Sequence, residues 1–296
     1  MSTPAGARRG TIFLEDAAVL AHEAFPGAQY VLTLAAPRCA AAATPGCFVH
    51  LSCAPELPMR RPFSLLRADA GGGRIELLYK AIGAGTTELA RRRPGERLSS
   101  LGPIGRGFQP HAARPRTLLI GGGVGIPPLV FLAESLAARR DTRWRPLLLM
   151  GSELPFPFAL AEAGSALAGI PAGATSAMAA LESRGVPTRL ASLAGFPGCH
   201  RGYVTELAAA WLAALPCTGL DQVELFSCGP EPMLEAVAAL ARRFSLPCQV
   251  SLEENMACAV GGCAGCTVEV ATPEGPAMKR VCVDGPVFDA AVVFHA

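Results

Sequence analysis

Four cysteines near the end of the chain constrain its fold more than any other feature. Cys258, Cys263, Cys266 and Cys282 follow the spacing C-x4-C-x2-C, with fifteen residues before the fourth. This is the plant-type spacing of a [2Fe–2S] cluster. Three thiolates from one short segment must converge with a remote fourth, so the chain has to loop tightly and return. Gly261, Gly262 and Gly265 let backbone N–H groups approach cluster sulfurs with no Cβ in the way. Ala257, Ala259 and Ala264 keep bulk away from the same place. Zinc sites more often join two short C-x2-4-C pairs. Zinc and unligated thiols are therefore the weaker alternatives. The other seven cysteines (Cys39, Cys47, Cys53, Cys199, Cys217, Cys228, Cys248) are scattered and read mostly as small buried apolar residues. An odd total of 11 speaks against a complete disulfide framework and for a reducing, cytoplasmic compartment.

Composition narrows the class further. A chain of 296 residues is long enough for about two domains and a small appendage. With 51% apolar and 17% charged residues it can bury sizeable cores. A formal net charge of +2 leaves no electrostatic footprint for nucleic acid or an acidic membrane. The uncharged stretch Thr117 to Ala133 carries four glycines and two prolines in its middle, which opposes a membrane span. The opening MSTPAGARRG is followed by no apolar core of the secretory kind.

Three textures divide the chain. In residues 1–112, short apolar runs at Tyr30–Ala35, Cys47–Cys53, Ile75–Lys80 and Arg97–Leu101 alternate with turns, as in an antiparallel β-barrel, with one helix near Thr86–Arg93. Residues 113–246 predict an α/β domain with a parallel sheet. Its strands are expected at Thr117–Ile120, Arg145–Gly151 and Gln222–Ser227. Its helices are expected from the glycine cluster to Arg140, over Val204–Leu215 and over Glu231–Phe244. Ala159–Ala180 reads as a weak helix. Residues 247–296 form a small cysteine-dominated domain with strands at Gln249–Leu252 and Thr267–Val270.

Within this frame, Gly121-Gly122-Gly123-Val124-Gly125 stands between a strand and a helix, where backbone amides can approach a pyrophosphate. An ordinary tight turn is the alternative, since the full G-x-G-x-x-G pattern is missing. Glu153 closes the next strand, where a carboxylate can bind a ribose 2′-OH and repel a 2′-phosphate; a solvated loop residue is equally compatible. Cys228-Gly229-Pro230 ends another strand on the edge where open α/β sheets bind ligands. In the first domain, Arg61-Pro62-Phe63-Ser64 offers a guanidinium, a ring and a hydroxyl, and Leu78-Tyr79-Lys80 precedes a turn with Gly85 and Thr86. A solvated Arg and a helix-capping Thr are the alternatives here. The five histidines have no readable partner, and no general acid or base is expected.

RPFS, the Gly-Thr turn, GGGVGIPPL, CGPEPM, the four cysteines and DGPVF occur in one order. That order resembles the ferredoxin reductase-like flavoproteins. SLEENMACAVGGCAGC followed by RVCVDGPVF is similar to the electron-transfer subunits of dihydroorotate dehydrogenase B, as is Gly202-Tyr203-Val204-Thr205. The resemblance covers nearly the whole chain. It implies that Arg61, Pro62, Phe63, Ser64, Leu78, Tyr79, Lys80, Gly85 and Thr86 hold FAD. Gly121, Gly122, Gly123, Gly125, Glu153, Cys228, Gly229 and Pro230 would form the NAD site, and the four cysteines would hold the cluster. Lys80 stands where the pattern has Arg, which loses the planar fork. Ala259 stands where it has Gly; a positive φ there would cost about 1 kcal/mol. Residues 156–194 are longer than the pattern and match nothing in it.

The family further implies a partner: an FMN-containing catalytic subunit that oxidises dihydroorotate to orotate for pyrimidine biosynthesis, in a heterotetramer of two copies of each chain. The cluster loop near Cys263 would face it. Nothing in this chain suggests a dihydroorotate site of its own. The competing expectations are an NAD(P)H-dependent reductase subunit serving a hydrogenase, an oxygenase or a bifurcating ferredoxin–NADP reductase, and, from another class, a zinc-containing regulatory module.

Overall fold

A computed structural model of the chain describes residues 11–139 and 143–295. The opening decapeptide and Arg140, the expected end of a helix, lie outside the described residues. Strands β1 (Phe13–Phe25), β2 (Gln29–Ala35), β3 (Phe48–Leu51), β4 (Arg61–Asp69), β5 (Arg74–Lys80) and β6 (Arg97–Ile104) close an antiparallel barrel in the order β1-β2-β5-β4-β3-β6. Alternation fills it: Leu32, Leu34, Leu65, Ile75 and Leu77 are completely buried. Helix α1 (Pro37–Ala42) follows β2, and α2 (Ala84–Leu89) follows β5. The expected barrel is present, with β1 and β4 as strands additional to the four apolar runs.

The second unit contains β7 (Arg116–Gly122), α3 (Ile126–Ala137), β8 (Leu147–Gly151), β9 (Leu160–Glu162), β10 (Ser176–Met178), α4 (Ala179–Glu182), β11 (Thr188–Ala191), α5 (Val204–Ala213), α6 (Cys217–Leu220), β12 (Val223–Cys228) and α7 (Glu231–Arg243). Then come β13 (Cys248–Ser251), β14 (Thr267–Thr272), β15 (Gly275–Arg280), β16 (Val287–Asp289) and α8 (Ala290–Val293). One six-stranded sheet runs β11-β8-β7-β12-β13-β16. Its pairs are parallel except β13 with β16. Continuous apolar runs such as Leu118-Leu119-Ile120 and Leu147 to Met150 suit strands covered on both faces. Helix α7 starts at Glu231 and ends in Arg242 and Arg243, charges that complement its dipole. The sheet also continues past residue 246, because β13 and β16 from the last segment complete it.

The weak helix expected over Ala159–Ala180 is not formed. Instead β9 and β10 pair antiparallel, and only Ala179–Glu182 is helical. Gly164, Gly169, Pro171 and Gly173 interrupt the alanines, and each weakens a helix interior. Barrel and sheet are clasped by Arg67 on β4. Its Nε donates to both carboxylate oxygens of Glu134 on α3 at 2.9 Å, and its Nη1 to Glu76 at 2.9 Å. Among the described residues no helix is long and apolar enough to cross a membrane.

Candidate functional site

A cleft of about 430 Å³ opens where barrel, sheet and cysteine domain meet. Its barrel wall includes Pro62, Phe63, Ser64, Leu78, Tyr79, Lys80 and Thr86. Its opposite wall is the segment Ser251 to Met256, with Val124 from the glycine loop and Pro286 from DGPVF. The two barrel motifs meet because β4 and β5 are neighbours. Gly85 completes the junction. A Cβ there would stand 3.1 Å from Arg61 Nε, so the bare glycine lets the guanidinium stem lie against the turn.

Some side chains do other work than expected. Phe63 and Tyr79, besides lining the cleft, are packed into the barrel core, edge to face at 5.5 Å. The Tyr79 hydroxyl meets His22 Nε2 at 2.9 Å, while His22 Nδ1 meets the Arg92 carbonyl at 2.8 Å. Thr86 Oγ1 accepts from the Ile82 and Gly83 amides and donates to the Gly83 carbonyl, a helix-capping role. Arg61 Nη1 donates to the carbonyls of Met59 and Arg60.

On the sheet side, Gly121 and Gly122 end β7, Gly123–Gly125 make one 3-10 turn, and α3 starts at Ile126 with Pro127 and Pro128 in its first turn. Gly125 is the tightest point. A Cβ there would lie 2.4 Å from the Cys228 carbonyl carbon and the Gly229 nitrogen. The glycine loop and the Cys228-Gly229-Pro230 turn are thus pressed backbone to backbone. Cys228 is completely buried, and that burial holds its thiol well above the usual range, so it stays neutral. Glu153 is exposed just beyond β8 and lines neither this cleft nor the larger one beside α7.

The cysteine loop folds as its spacing demands. The Cys263 amide donates to Cys258 Sγ at 3.4 Å, and the Gly265 amide to Cys263 Sγ at 3.4 Å. Partial burial raises the Cys258 thiol, but the Val260, Cys263 and Gly262 amides and the Cys263 thiol outweigh it and bring the pKa down to about 7. Burial, then the neighbouring Cys266 thiol, pushes Cys282 up to about 12. The Cys258 thiol therefore meets that of Cys263 and the Cys282 thiol that of Cys266, and the two pairs lie near enough for Cys258 to act on Cys282. A single zinc ion draws four ligands to one point. Two pairs suit two irons, so the residues fit the [2Fe–2S] group. Ala259 adopts φ 56° and Ala264 φ 55°, the left-handed region that the departure from glycine put in question.

Two residues escaped the sequence reading. Glu253 lines the cleft five residues before Cys258. The residue is exposed at the cleft, yet the neighbouring walls desolvate its carboxyl enough to raise its pKa. Its only sequence signal was an acidic pair ahead of the cysteines. His50 on β3 is completely buried, with no hydrogen bond of good geometry at either ring nitrogen; burial and then Arg60 lower its pKa, against smaller opposing contributions from the Met256 and Arg60 backbone. By contrast His22 is satisfied as above, and His200 Nε2 meets Glu206 at 2.9 Å. Of the seven remaining cysteines, Cys39, Cys47, Cys53, Cys228 and Cys248 are buried, whereas Cys217 is exposed.

Known proteins share this arrangement. Residues 253–294 match the family described as the iron–sulfur cluster binding domain of dihydroorotate dehydrogenase B. A solved NADH-dependent reduced ferredoxin-NADP oxidoreductase superposes with a TM-score of 0.70 at 20% identity, covering 94% of this chain and 90% of that one. A ferredoxin reductase of carbazole 1,9a-dioxygenase gives 0.56 at 22% identity over 79% and 65%. These two show the shared fold. Among curated relatives, the dihydroorotate dehydrogenase B (NAD(+)) electron transfer subunit of Geobacillus sp. (strain WCH70) is 33% identical, covering 94% of this chain and 98% of its own. That of Geobacillus thermodenitrificans (strain NG80-2) is 35% identical over 271 residues, 89% of this chain and 92% of its own. Similarity of that extent, joined to the paired cysteines, makes the chain a member of the dihydroorotate dehydrogenase B electron transfer subunit family.

Proposed function

We propose that this chain carries electrons between a catalytic partner subunit and NAD, with FAD in the barrel-side cleft and a [2Fe–2S] cluster on Cys258, Cys263, Cys266 and Cys282. When bound, nicotinamide exchanges electrons in pairs, the cluster singly and a flavin either way, so the three groups suffice for a relay. The observation that carries this reading is the cleft itself. One wall is built by Pro62–Ser64 and Leu78–Lys80 on neighbouring strands, and the other is the segment that runs from the sheet toward the first cluster cysteine.

The residues divide the work. Arg61, held against Gly85, and Lys80 supply positive charge for a phosphate group. Ser64 offers a hydroxyl at the cleft. Gly121, Gly122, Gly123 and Gly125 bring backbone close to a pyrophosphate, and Gly125 seats that loop on Cys228, Gly229 and Pro230. Cys228 presents a neutral thiol, and its burial keeps water from the strand end. Glu253 holds a proton more readily than an ordinary carboxylic acid because its surroundings desolvate it. Glu153 is placed to accept a ribose hydroxyl and to repel a 2′-phosphate.

The exposed Cys263 loop faces the partner, an FMN-containing dihydroorotate dehydrogenase catalytic subunit, in a cytoplasmic heterotetramer of two copies of each chain. Purification of the tagged chain from its own host, followed by an assay of dihydroorotate-dependent NAD reduction, tests this. Activity with a stoichiometric flavoprotein partner is expected. A brown, NADH-reducible protein with another partner and no such activity would keep the relay and discard the pyrimidine role.

A further inference from the structure

The turn between β1 and β2 joins the two candidate nucleotide sites through one buried side chain. Gln29 is 7% exposed, and its Nε2 donates to two carbonyls, Pro26 at 2.8 Å within the turn and Pro155 at 2.8 Å across the domain boundary. Pro155 lies two residues beyond Glu153. The residue between them, Leu154, rests on the same turn: a Cβ on Gly27 would come 2.8 Å from Leu154 Cδ1. Gly27 has φ +79°, so the bare turn makes room for that leucine. The other side of the turn holds the barrel wall. Gln29 pairs in register with Lys80, and the Ala81 amide donates to the Ala28 carbonyl at 2.8 Å.

A loop carrying an exposed carboxylate at a strand end has little of its own to hold it. Here the Leu154 amide reaches Ser152 Oγ at 3.1 Å and the Ser152 amide donates to the Ala191 carbonyl at 3.1 Å, while the contacts at Leu154 and Pro155 include those to Gly27 and Gln29 of the barrel. Gln29 has two donors on one nitrogen, and both are used on carbonyls that a buried apolar side chain would leave unpaired. We propose that Gln29 is a positioning residue for pyridine-nucleotide choice: from the barrel it holds the 152–155 loop so that the Glu153 carboxylate meets the ribose. This rests on the reading of Glu153 as the group that selects NAD over NADP.

The test uses the FAD- and cluster-loaded chain with a dye acceptor. Gln29→Met, which keeps bulk and removes both donors, is compared with Glu153→Gln, with the double variant and with Leu154→Ala. kcat and KM are measured for NADH and NADPH, and FAD content is read from absorbance. Gln29→Met is expected to raise KM for NADH about fivefold, the equivalent of about 1 kcal/mol for a lost hydrogen bond, with kcat within about twofold and FAD retained. It should lower the preference for NADH over NADPH, and add nothing to that loss when Glu153 is already Gln. Leu154→Ala should act in the same direction, and carries the test if Gln29→Met does not fold. If Glu153→Gln abolishes the preference while Gln29→Met and Leu154→Ala keep it, the positioning role is overturned and the Glu153 reading stands. If Glu153→Gln leaves the preference intact, the Glu153 reading fails and the role of Gln29 falls with it. A fall in kcat and FAD content with KM unchanged would mean that Gln29 only supports the barrel.

Discussion

Gly125→Ala isolates the contact between the two loops of the proposed NAD side. The added Cβ would stand 2.4 Å from the Cys228 carbonyl carbon and the Gly229 nitrogen, with Cys228 itself completely buried. Ordinary van der Waals contact needs about 3.5 Å. The loops must therefore separate by about 1 Å, and neither partner is a flexible side-chain end. A misplacement of that size between reacting groups costs on the order of 100-fold in rate. Gly123→Ala is the control on the same loop. Nothing lies within 4 Å of its Cβ, but its φ is +53°, so it carries only the left-handed strain of about 1 kcal/mol.

The assay is anaerobic stopped-flow bleaching of flavin absorbance by NADH. Gly125→Ala should lower the limiting rate about 100-fold while keeping FAD and cluster, because the three atoms nearest the added Cβ all belong to Cys228 and Gly229. Gly123→Ala should stay within about threefold of the parent and lose stability instead. Equal rates in both variants would refute the claim that backbone contact at Gly125 sets the nicotinamide geometry.

Three further outcomes are expected. Cys263→Ser should remove the visible absorption of the cluster and leave NADH oxidation by an artificial dye; loss of dye reduction from a folded, FAD-loaded variant would refute the separation of the two sites. Ala264 is exposed and Ala259 is 1% exposed, both at positive φ. Glycine relieves about 1 kcal/mol of strain at each, returns about 0.4–1 kcal/mol through the freer unfolded chain, and at Ala259 also forfeits about 0.8 kcal/mol of methyl burial. Ala264→Gly should therefore match or exceed the parent in the temperature at which cluster absorbance is lost, with Ala259→Gly below it; the reverse order would sink the strain argument. Because burial depresses the pKa of His50, the unfolded chain takes up that proton first as pH falls below its ordinary 6.5. Stability is lost on acidification at no more than about 1.4 kcal/mol per pH unit, and His50→Leu should flatten this component of urea midpoints between about pH 5 and 7.

What could be seen in the sequence followed the range over which each constraint acts. The cysteine spacing and the glycine loop are local demands of chemistry and backbone, and both stand where expected. Parallel strands β7, β8 and β12 carry buried apolar runs, Leu118–Ile120, Leu147–Met150 and Leu225-Phe226, and show without an alignment. β1 did not, because its thirteen residues include Glu15, Asp16 and Glu23, and its pairing with β2 is shifted between Val19 and Ala21. Ala159–Ala180 misled through composition: alanine favours helix, yet the interrupting glycines and the pairing of β9 with β10 decide the outcome. Glu253 and Gln29 were invisible for a different reason. Their significance lies in what they reach across domain boundaries, and one-dimensional pattern carries no trace of a contact 126 residues away.

The same non-local pairing explains how one chain can hold three redox groups in a set relation. The cysteine domain is inserted between β13 and β16, and these strands pair at its base, Ser251 with Val287. Both chain passages into that domain therefore begin on the sheet that ends in Cys228, whose register partner on β13 is Ser251. The return passage is also tied to the barrel, since the Arg106 amide donates to the Gly285 carbonyl and a Cβ on Gly105 would strike Pro286 at 2.3 Å. Leu101, Phe48 and Ile104 of the barrel complete an apolar seam with Ala259, Cys266 and Cys282. A domain held at its base by the sheet and along its side by the barrel has no free hinge. The geometry between the cleft and the four thiols is consequently a property of the folded chain before any partner docks. On the proposed reading, docking has only the approach of the partner to the exposed Cys263 side of the loop left to determine.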